Sequence, residues 1–352
     1  MAKKAPVNVA VIGAGAIGLH HIEGFRGHPD ARVVAVAETD VARGREAVDR
    51  YGIPCLAADY RDLLTRPDID VFSIALPTWL HAQVSIEALR VGKHVMLDKP
   101  MTTNAADAAR ILAAAKKARR VFMVGQNQRF SGAAQAVKQA VEAGRLGEVY
   151  HARATWLRRS GIPRIGSWFT QKKFAGGGCT YDIGVHVLDL ALHLLGDFEP
   201  ACVSGQTAAK FGPQGRGDGS WGKSAIDPKR PFDVEDFCVA LIRMKSGRTI
   251  QMEVSWAAAI EQHDINGVQL FGTEAGATTN PARLFRPGPD GHESVELKPT
   301  TALVNDNRMA HFVDVVLGRA KPFVTPEQSL VVQRILDAIY ASARTGREVR
   351  MK

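Results

Sequence analysis

The sequence predicts an α/β chain of two domains: a doubly wound parallel sheet first, then an α+β domain with a large, mostly antiparallel open sheet. Three observations predict it. Through the first third, short apolar runs alternate with helical stretches, the pattern of a parallel sheet covered on both faces. After about Gly125 longer strand-like segments take over. The length, 352 residues, suits two domains of ordinary size. The boundary is drawn between residues 124 and 125, giving domains 1–124 and 125–352.

The elements follow in order. Val7–Ile12 is an apolar strand that runs into glycines, and a helix covers Ala16–Arg26. Arg32–Ala37 is the second strand and Val41–Tyr51 the second helix. Val71–Leu76, His94–Leu97 and Val121–Val124 complete the strands, with helices at Leu80–Val91 and Ala105–Ala118. Right-handed crossovers then make the domain doubly wound. In the second half, strands are expected at Glu148–Arg158, Ala201–Ala209, Val234–Met244, Thr249–Trp256 and Gly267–Phe271. Ser246-Gly247 marks a hairpin turn between two of them. Pro213–Pro231 is rich in Gly, Ser and Pro and reads as a loop. Glu327–Ala343, opened by Thr325-Pro326, reads as an amphipathic helix.

Composition excludes several classes. Hydrophobic residues make up 45% and charged residues 23%, the balance of a globular chain. Met1-Ala2-Lys3-Lys4 is basic, but the apolar run behind it is too short for a signal peptide. No apolar stretch is long enough to span a bilayer. The net charge of +9 is spread out. Its densest cluster, Lys116-Lys117-Ala118-Arg119-Arg120, sits at a helix C-terminus, where cations suit the dipole, so nucleic acid is not an expected partner. Cys55, Cys179, Cys202 and Cys238 form no CxxC pair and read as reduced thiols of a cytoplasmic protein.

Gly13-Ala14-Gly15-Ala16-Ile17-Gly18 is a G-x-G-x-x-G between a strand and a helix. The first glycine permits a tight turn, the second lets a pyrophosphate approach, and the third lets helix and strand pack closely. Free N–H groups and the helix dipole then hold the anion. Glu38 ends the second strand, where a carboxylate binds ribose hydroxyls. It repels a 2′-phosphate, and Thr39 follows it rather than an arginine. NAD is therefore favoured over NADP, with Arg43 and Arg45 as the nearby cations that argue the other way.

Two further segments carry chemistry. Gly92–Pro100 ends in Asp98-Lys99-Pro100 at the carboxyl end of a buried strand, where open α/β sheets bind ligands. Taken alone it reads equally well as an ordinary strand exit. Gly176-Gly177-Gly178 precedes a helix that is apolar on most sides, hence buried. Its one polar stripe is Asp182, His186, Asp189 and His193, all expected on one face. Buried polar groups are costly without partners or purpose. Histidines seven apart are poorly placed for one metal ion, and no metal site is expected.

With these motifs the sequence resembles the family of glucose–fructose oxidoreductase, inositol dehydrogenase and the rhizopine catabolism protein MocA, over nearly the whole chain. The family pattern joins a glycine loop, a Glu-Lys-Pro motif after a Gly-Lys-His strand, and a Gly-Gly-Gly…Asp-x-x-x-His helix. Here these are Gly13/Gly15/Gly18, Lys99-Pro100 and Asp182…His186. Pro77-Thr78-Trp79-Leu80-His81 matches a turn that lies against the nicotinamide half. Asp98 stands where the family has Glu, which keeps the charge and shortens the reach. The resemblance implies a Rossmann domain and NAD held by the glycine loop with Ala16 and Ile17, by Glu38 and Thr39, by Pro77, Thr78 and His81, and by Asp98 and Lys99.

It also implies a catalytic triad of Lys99, Asp182 and His186, acting on a ring hydroxyl of a sugar, sugar derivative or cyclitol. In that chemistry a hydroxyl releases hydride only as its proton leaves, so a base near neutral pKa is needed, and His186 supplies it. Asp182 stabilises the imidazolium or binds substrate, and Lys99 stabilises developing alkoxide. A homodimer or homotetramer through the second-domain sheet follows from the same resemblance. Arg129, Arg158 and Trp168 are the further candidates for substrate contact. An aromatic with several cations, including Lys172 and Lys173, suits an acidic sugar, although such charges more often form a solvated loop. Two alternatives remain: a redox-neutral glycosidase or lyase that retains NAD, and a non-enzymatic sugar or NAD sensor.

Overall fold

The computed structural model describes residues 6–221, 224–288, 291–299 and 307–351. The basic start Met1–Lys4 lies outside them, as do Gly222 and Lys223 of the expected loop. The chain forms two compact units.

The first unit holds a six-stranded parallel sheet in the order β3-β2-β1-β4-β5-β6. Its strands are β1 (Val7–Ile12), β2 (Ala31–Ala37), β3 (Leu56–Ala57), β4 (Val71–Ile74), β5 (His94–Leu97) and β6 (Phe122–Val124). The order reverses beside β1, and β1 and β4 lie side by side in parallel register, Ile12 opposite Ile74. That is the switch point at which a doubly wound sheet opens a crevice outside its strand ends. Helices Ala16–Arg26, Val41–Tyr51 and Ala105–Ala118 have the predicted bounds. Asp40 and Asn104 cap the last two by accepting from the N–H groups of Arg43 and Asp107. β3, two residues long, carried no readable pattern.

The boundary expected after residue 124 leaves all later residues in the second domain. The structure instead groups Asn307–Leu330 with the first unit. Helix Arg308–Val316 packs there: Asn307 donates to Gly24 O and caps the helix, and Met309 lies against Gly24. A chain that leaves a domain and returns shows no composition shift at the return.

The second unit holds a nine-stranded sheet in the order β14-β13-β12-β11-β7-β10-β9-β8-β15. β7 is Val149–Arg158, β8 Pro200–Ala208, β9 Phe237–Met244, β10 Thr249–Ser255 and β11 Asp264–Gly272. β9 and β10 form the expected hairpin around Gly247. β7 and β10 pair in parallel, while the other neighbours are antiparallel. The three strands at one end of the sheet went unpredicted: β12 (Gly276–Thr279), β13 (Ala282–Gly288) and, at the edge itself, β14 (Gly291–Glu296). They are short and carry Gly, Pro and charge, which are depleted in strands. β15 (Val349–Arg350) closes the other edge against β8.

One face of this sheet is the core. Ala152 and Ala154 of β7, Ile250, Met252 and Val254 of β10, and Val268 and Leu270 of β11 share that face by register. All are buried against the apolar helix Val185–Leu195. The terminal helix runs Pro326–Thr345, slightly longer than expected.

Candidate active site

The glycine loop is a turn built by exclusion. Gly13 has φ +97°, and a Cβ there would stand 2.5 Å from Ala75 O. A Cβ on Gly18 would run into Gly13 O, so strand and helix close on each other only without it. Gly15, the N-cap of helix Ala16–Arg26, faces open space within 4 Å. Those three positions fit the three roles expected of them. Glu38 lies beside the turn: Ala14 N–H donates to its Oε2 at 2.9 Å and Asp40 N–H to its Oε1 at 3.0 Å. Arg43 is occupied by Asp40 at 2.8 Å, with Glu38 at 3.9 Å.

His81 ties two of the sequence motifs together. Its ring nitrogens lie 2.8 Å from Leu76 O and 2.9 Å from Pro100 O. The Pro77 turn and the Lys99-Pro100 turn are thereby clasped by one buried imidazole. Burial lowers its pKa, with the two carbonyls pulling the other way. Thr78 is buried and Lys99 half-buried. The carboxylate of Asp98, expected at the nicotinamide, faces His21 at 3.7 Å and Arg308 at 3.6 Å. Burial raises the Asp98 pKa, but His21, Arg308 and Lys99 together bring it below the ordinary carboxylate range. His21 is itself fully buried and its pKa lowered by that burial, so the lasting positive charge beside Asp98 comes from Arg308 and Lys99. Arg308 was missed by sequence reasoning because it sits 210 positions after Asp98 with no motif around it.

In the second unit the predicted helix starts differently. Thr180–Gly184 forms a π-helical turn, and the α-helix begins at Val185. Such turns are frequent at functional sites. Glu235 holds this one: Gly178 N–H donates to both its carboxylate oxygens, at 3.0 and 3.1 Å, and Thr180 N–H to Oε1 at 2.9 Å. The glycines before it are explained by crowding. A Cβ on Gly178 would strike Glu235 O, and one on Gly177 would strike the Tyr340 hydroxyl.

The π turn carries Asp182 into reach of Trp256, whose Nε1–H donates to Asp182 Oδ2 at 2.9 Å. His186 lies against Trp156, ring centroids 5.6 Å apart at 49°. The expected four-residue stripe splits in two. Asp189, fully buried, accepts from Arg129 Nε at 2.7 Å and Nη2 at 2.6 Å. His193 lies near that pair, its pKa pulled to about 2 by burial and by the charges of Arg129 and Lys138.

This corrects the reading of Arg129 as a substrate contact. Its side chain is 0% exposed and committed to Asp189, so it anchors the helix instead. Trp168 stacks on Phe169 at 3.8 Å, and Phe169 meets Trp221 at 5.5 Å. The indole at His186 is that of Trp156, not Trp168. Arg158 is at the end of β7, its guanidinium 4.8 Å from the Trp156 ring centre and its Nε 3.3 Å from Asp264. Trp256, Glu235, Trp156 and Asp264 are the residues that sequence reasoning did not assign. The alternation Ile250, Met252, Val254, Trp256 held a readable signal for the first.

A description of an NAD-binding Rossmann oxidoreductase family matches residues 7–126, and one of the GFO/IDH/MocA C-terminal domain matches residues 134–278. The chain is 31% identical to D-glucoside 3-dehydrogenase of Escherichia coli over 99% of its length and 98% of that protein's. It belongs to the Gfo/Idh/MocA oxidoreductase family. Levoglucosan dehydrogenase of Pseudarthrobacter phenanthrenivorans is another relative, 31% identical over 78% of this chain and 73% of that one. Among solved structures, levoglucosan dehydrogenase with NADH and levoglucosan superposes with a TM-score of 0.84 at 26% identity, covering 98% of this chain and 99% of that one.

As a Gfo/Idh/MocA member the chain is an NAD-binding oxidoreductase, and its parallel sheet followed by a mostly antiparallel one is the family's architecture. The residues present fit a dinucleotide. Gly15 leaves open space at a helix N-terminus, where N–H groups attract a pyrophosphate. Glu38 stands at the end of β2 with Arg43 already paired to Asp40. Among the described residues, no helix is long and apolar enough to cross a membrane.

Proposed function

We propose that the protein oxidises a ring hydroxyl of a sugar, glycoside or cyclitol, with Lys99, Asp182 and His186 as its catalytic groups. The observation that carries this reading is His186 itself. It stands in the first turn after a π-helical segment, with its ring against Trp156 and with Asp182 one turn earlier held by Trp256. The relatives named as D-glucoside 3-dehydrogenase and levoglucosan dehydrogenase support a sugar substrate.

His186 takes the hydroxyl proton as the C–H bond breaks, and the carbon becomes a carbonyl. NAD, when bound, supplies the hydride acceptor. Asp182 stabilises the imidazolium so formed. The Lys99 ammonium stabilises the oxygen while it carries partial negative charge. Glu38, Thr39 and Thr78 hold the coenzyme together with the glycine turn, Ala16 and Ile17, while His81, with both ring nitrogens engaged by backbone carbonyls, fixes the Pro77 and Lys99-Pro100 turns.

The opposite face of the large sheet carries half-buried Leu157, Val239, Leu241, Ile265 and Phe271, and we place self-association there, as a dimer or tetramer. The four free cysteines fit the reducing cytoplasm.

The test is NADH absorbance with purified protein, NAD and a panel of glycosides, anhydrosugars, aldoses and inositols. His186→Ala should lower turnover by about 10³-fold while NAD binding, followed by calorimetry, survives. Retained turnover in that variant rejects His186 as the base.

A further inference from the structure

The core face of the large sheet changes character at one end. Along β7 it reads Ala152, Ala154, Trp156, Arg158, and along β11, in antiparallel register, Leu270, Val268, Asn266, Asp264. The apolar half lies under helix Val185–Leu195, whereas the polar half begins where that helix begins, at His186. There the residues form one connected group. Asp264 accepts from Trp156 Nε1 and Arg158 Nε, both at 3.3 Å, and from Asn266 Nδ2 at 2.7 Å. Asn266 in turn accepts from Asn280 at 3.0 Å. The Arg158 side chain is 19% exposed and that of Asp264 33%, so both keep surface for a ligand. The His186 imidazole and the Arg158 guanidinium both lie against the Trp156 indole, 5.6 and 4.8 Å from its ring centre. A pyranose ring is about as wide as that indole.

We propose that Trp156, Arg158 and Asp264 form the substrate-selecting subsite of this enzyme, and that it selects a neutral, hydroxyl-bearing ring over an acidic one. This rests on the reading of His186 as the base. Arg158 alone would favour a carboxylate, the acidic-sugar reading that its sequence context invites. Paired with Asp264 it presents donors and a charged acceptor side by side. A sugar hydroxyl donates and accepts, so it satisfies both partners at once. A carboxylate or phosphate only accepts, and meets the Asp264 charge with nothing to give it. Trp156 adds an apolar ring surface for the C–H edges of the sugar.

The experiment compares methyl glucoside with methyl glucuronide on the NAD-loaded enzyme, by turnover and, with NADH bound, by calorimetry. The native protein should favour the neutral member by about tenfold or more. Asp264→Asn leaves Arg158 uncompensated and should narrow that preference about tenfold. Arg158→Gln leaves Asp264 uncompensated and should widen it. Equal preference in the native protein and both variants overturns the proposal and leaves the His186 reading standing. A charge-dependent binding preference without turnover does the reverse. Neither binding nor turnover of either sugar overturns both.

Discussion

The two units build their sites from opposite materials. In the first, the proposed coenzyme surface is built chiefly on backbone: Gly13 turns where no side chain fits, Gly15 leaves room, and Gly18 lets a helix end close on a strand. In the second, the candidate surface is side chain: Asp182, His186 and Trp156 project from a helix and from the end of a strand, with buried Trp256 holding Asp182 from behind. A backbone site is broken by adding atoms, a side-chain site by removing them. Backbone geometry is also set within a few residues, whereas the second site depends on partners far along the chain.

Arg129 tests how far the side-chain site depends on buried support. Arg129→Met should destabilise the fold by about 3–5 kcal/mol, because Asp189 is left charged and buried. Chemical denaturation measures it, and Arg129→Met combined with Asp189→Leu should recover most of the loss. An undiminished midpoint in the single variant would mean that the pair does not anchor the helix.

Gly13→Ala makes the complementary test by adding one methyl. The left-handed φ of +97° and the contact with Ala75 O should together cost roughly 2–3 kcal/mol, read as lost NAD affinity or lower thermal stability. Sugar binding at the second unit should be little changed. Trp256→Phe keeps an aromatic ring but deletes the pyrrole ring that carries the donor to Asp182, together with some buried volume. It should lower kcat by about tenfold, the scale of one hydrogen bond to a charged group, with NAD affinity unaltered. A change in NAD affinity there would erase the distinction between the two sites.

The most gradual effect, small for each unit of pH, is spread over both units. Burial lowers the pKa of His94 to about 4 in the first and of His193 to about 2 in the second, from the ordinary 6.5. The unfolded chain therefore binds more protons below pH 6.5. Stability should fall as pH drops through that value, by about 1.4 kcal/mol per pH unit for each fully buried histidine, and less for half-buried His94. The His94 contribution should level off near pH 4 while that of His193 continues. An acid titration of the unfolding midpoint reads both.

The same contrast explains what the sequence made legible. G-x-G-x-x-G is a statement about five peptide units, and helix Ala16–Arg26 has its predicted bounds. The Asp182…His186 spacing was likewise local. The partners that give those two side chains their setting were not. Trp256 reaches Asp182 across 74 residues and Trp156 reaches Asp264 across 108. Only strand register joins them, and register is not written in either segment alone. The stripe Asp182, His186, Asp189, His193 misled for a related reason. It showed four polar residues at helical spacing but not their partners, and Arg129, which claims Asp189 from outside the helix, is what sets the second pair apart from the first.

The return of Asn307–Leu330 to the first unit bears on how the molecule is made. A ribosome delivers the glycine turn, Gly24 and Asp98 early, but Met309 and Arg308, which pack on Gly24 and face Asp98, emerge only after the first sheet and all of the second except β15 have been synthesised. Domains ordinarily fold in order of synthesis. Here the half begun first is completed only after most of the other has been made, and the nascent chain must carry an unclosed coenzyme fold through that time. A gene fusion cut after Gly125 would therefore transfer the first half without the helix that closes it.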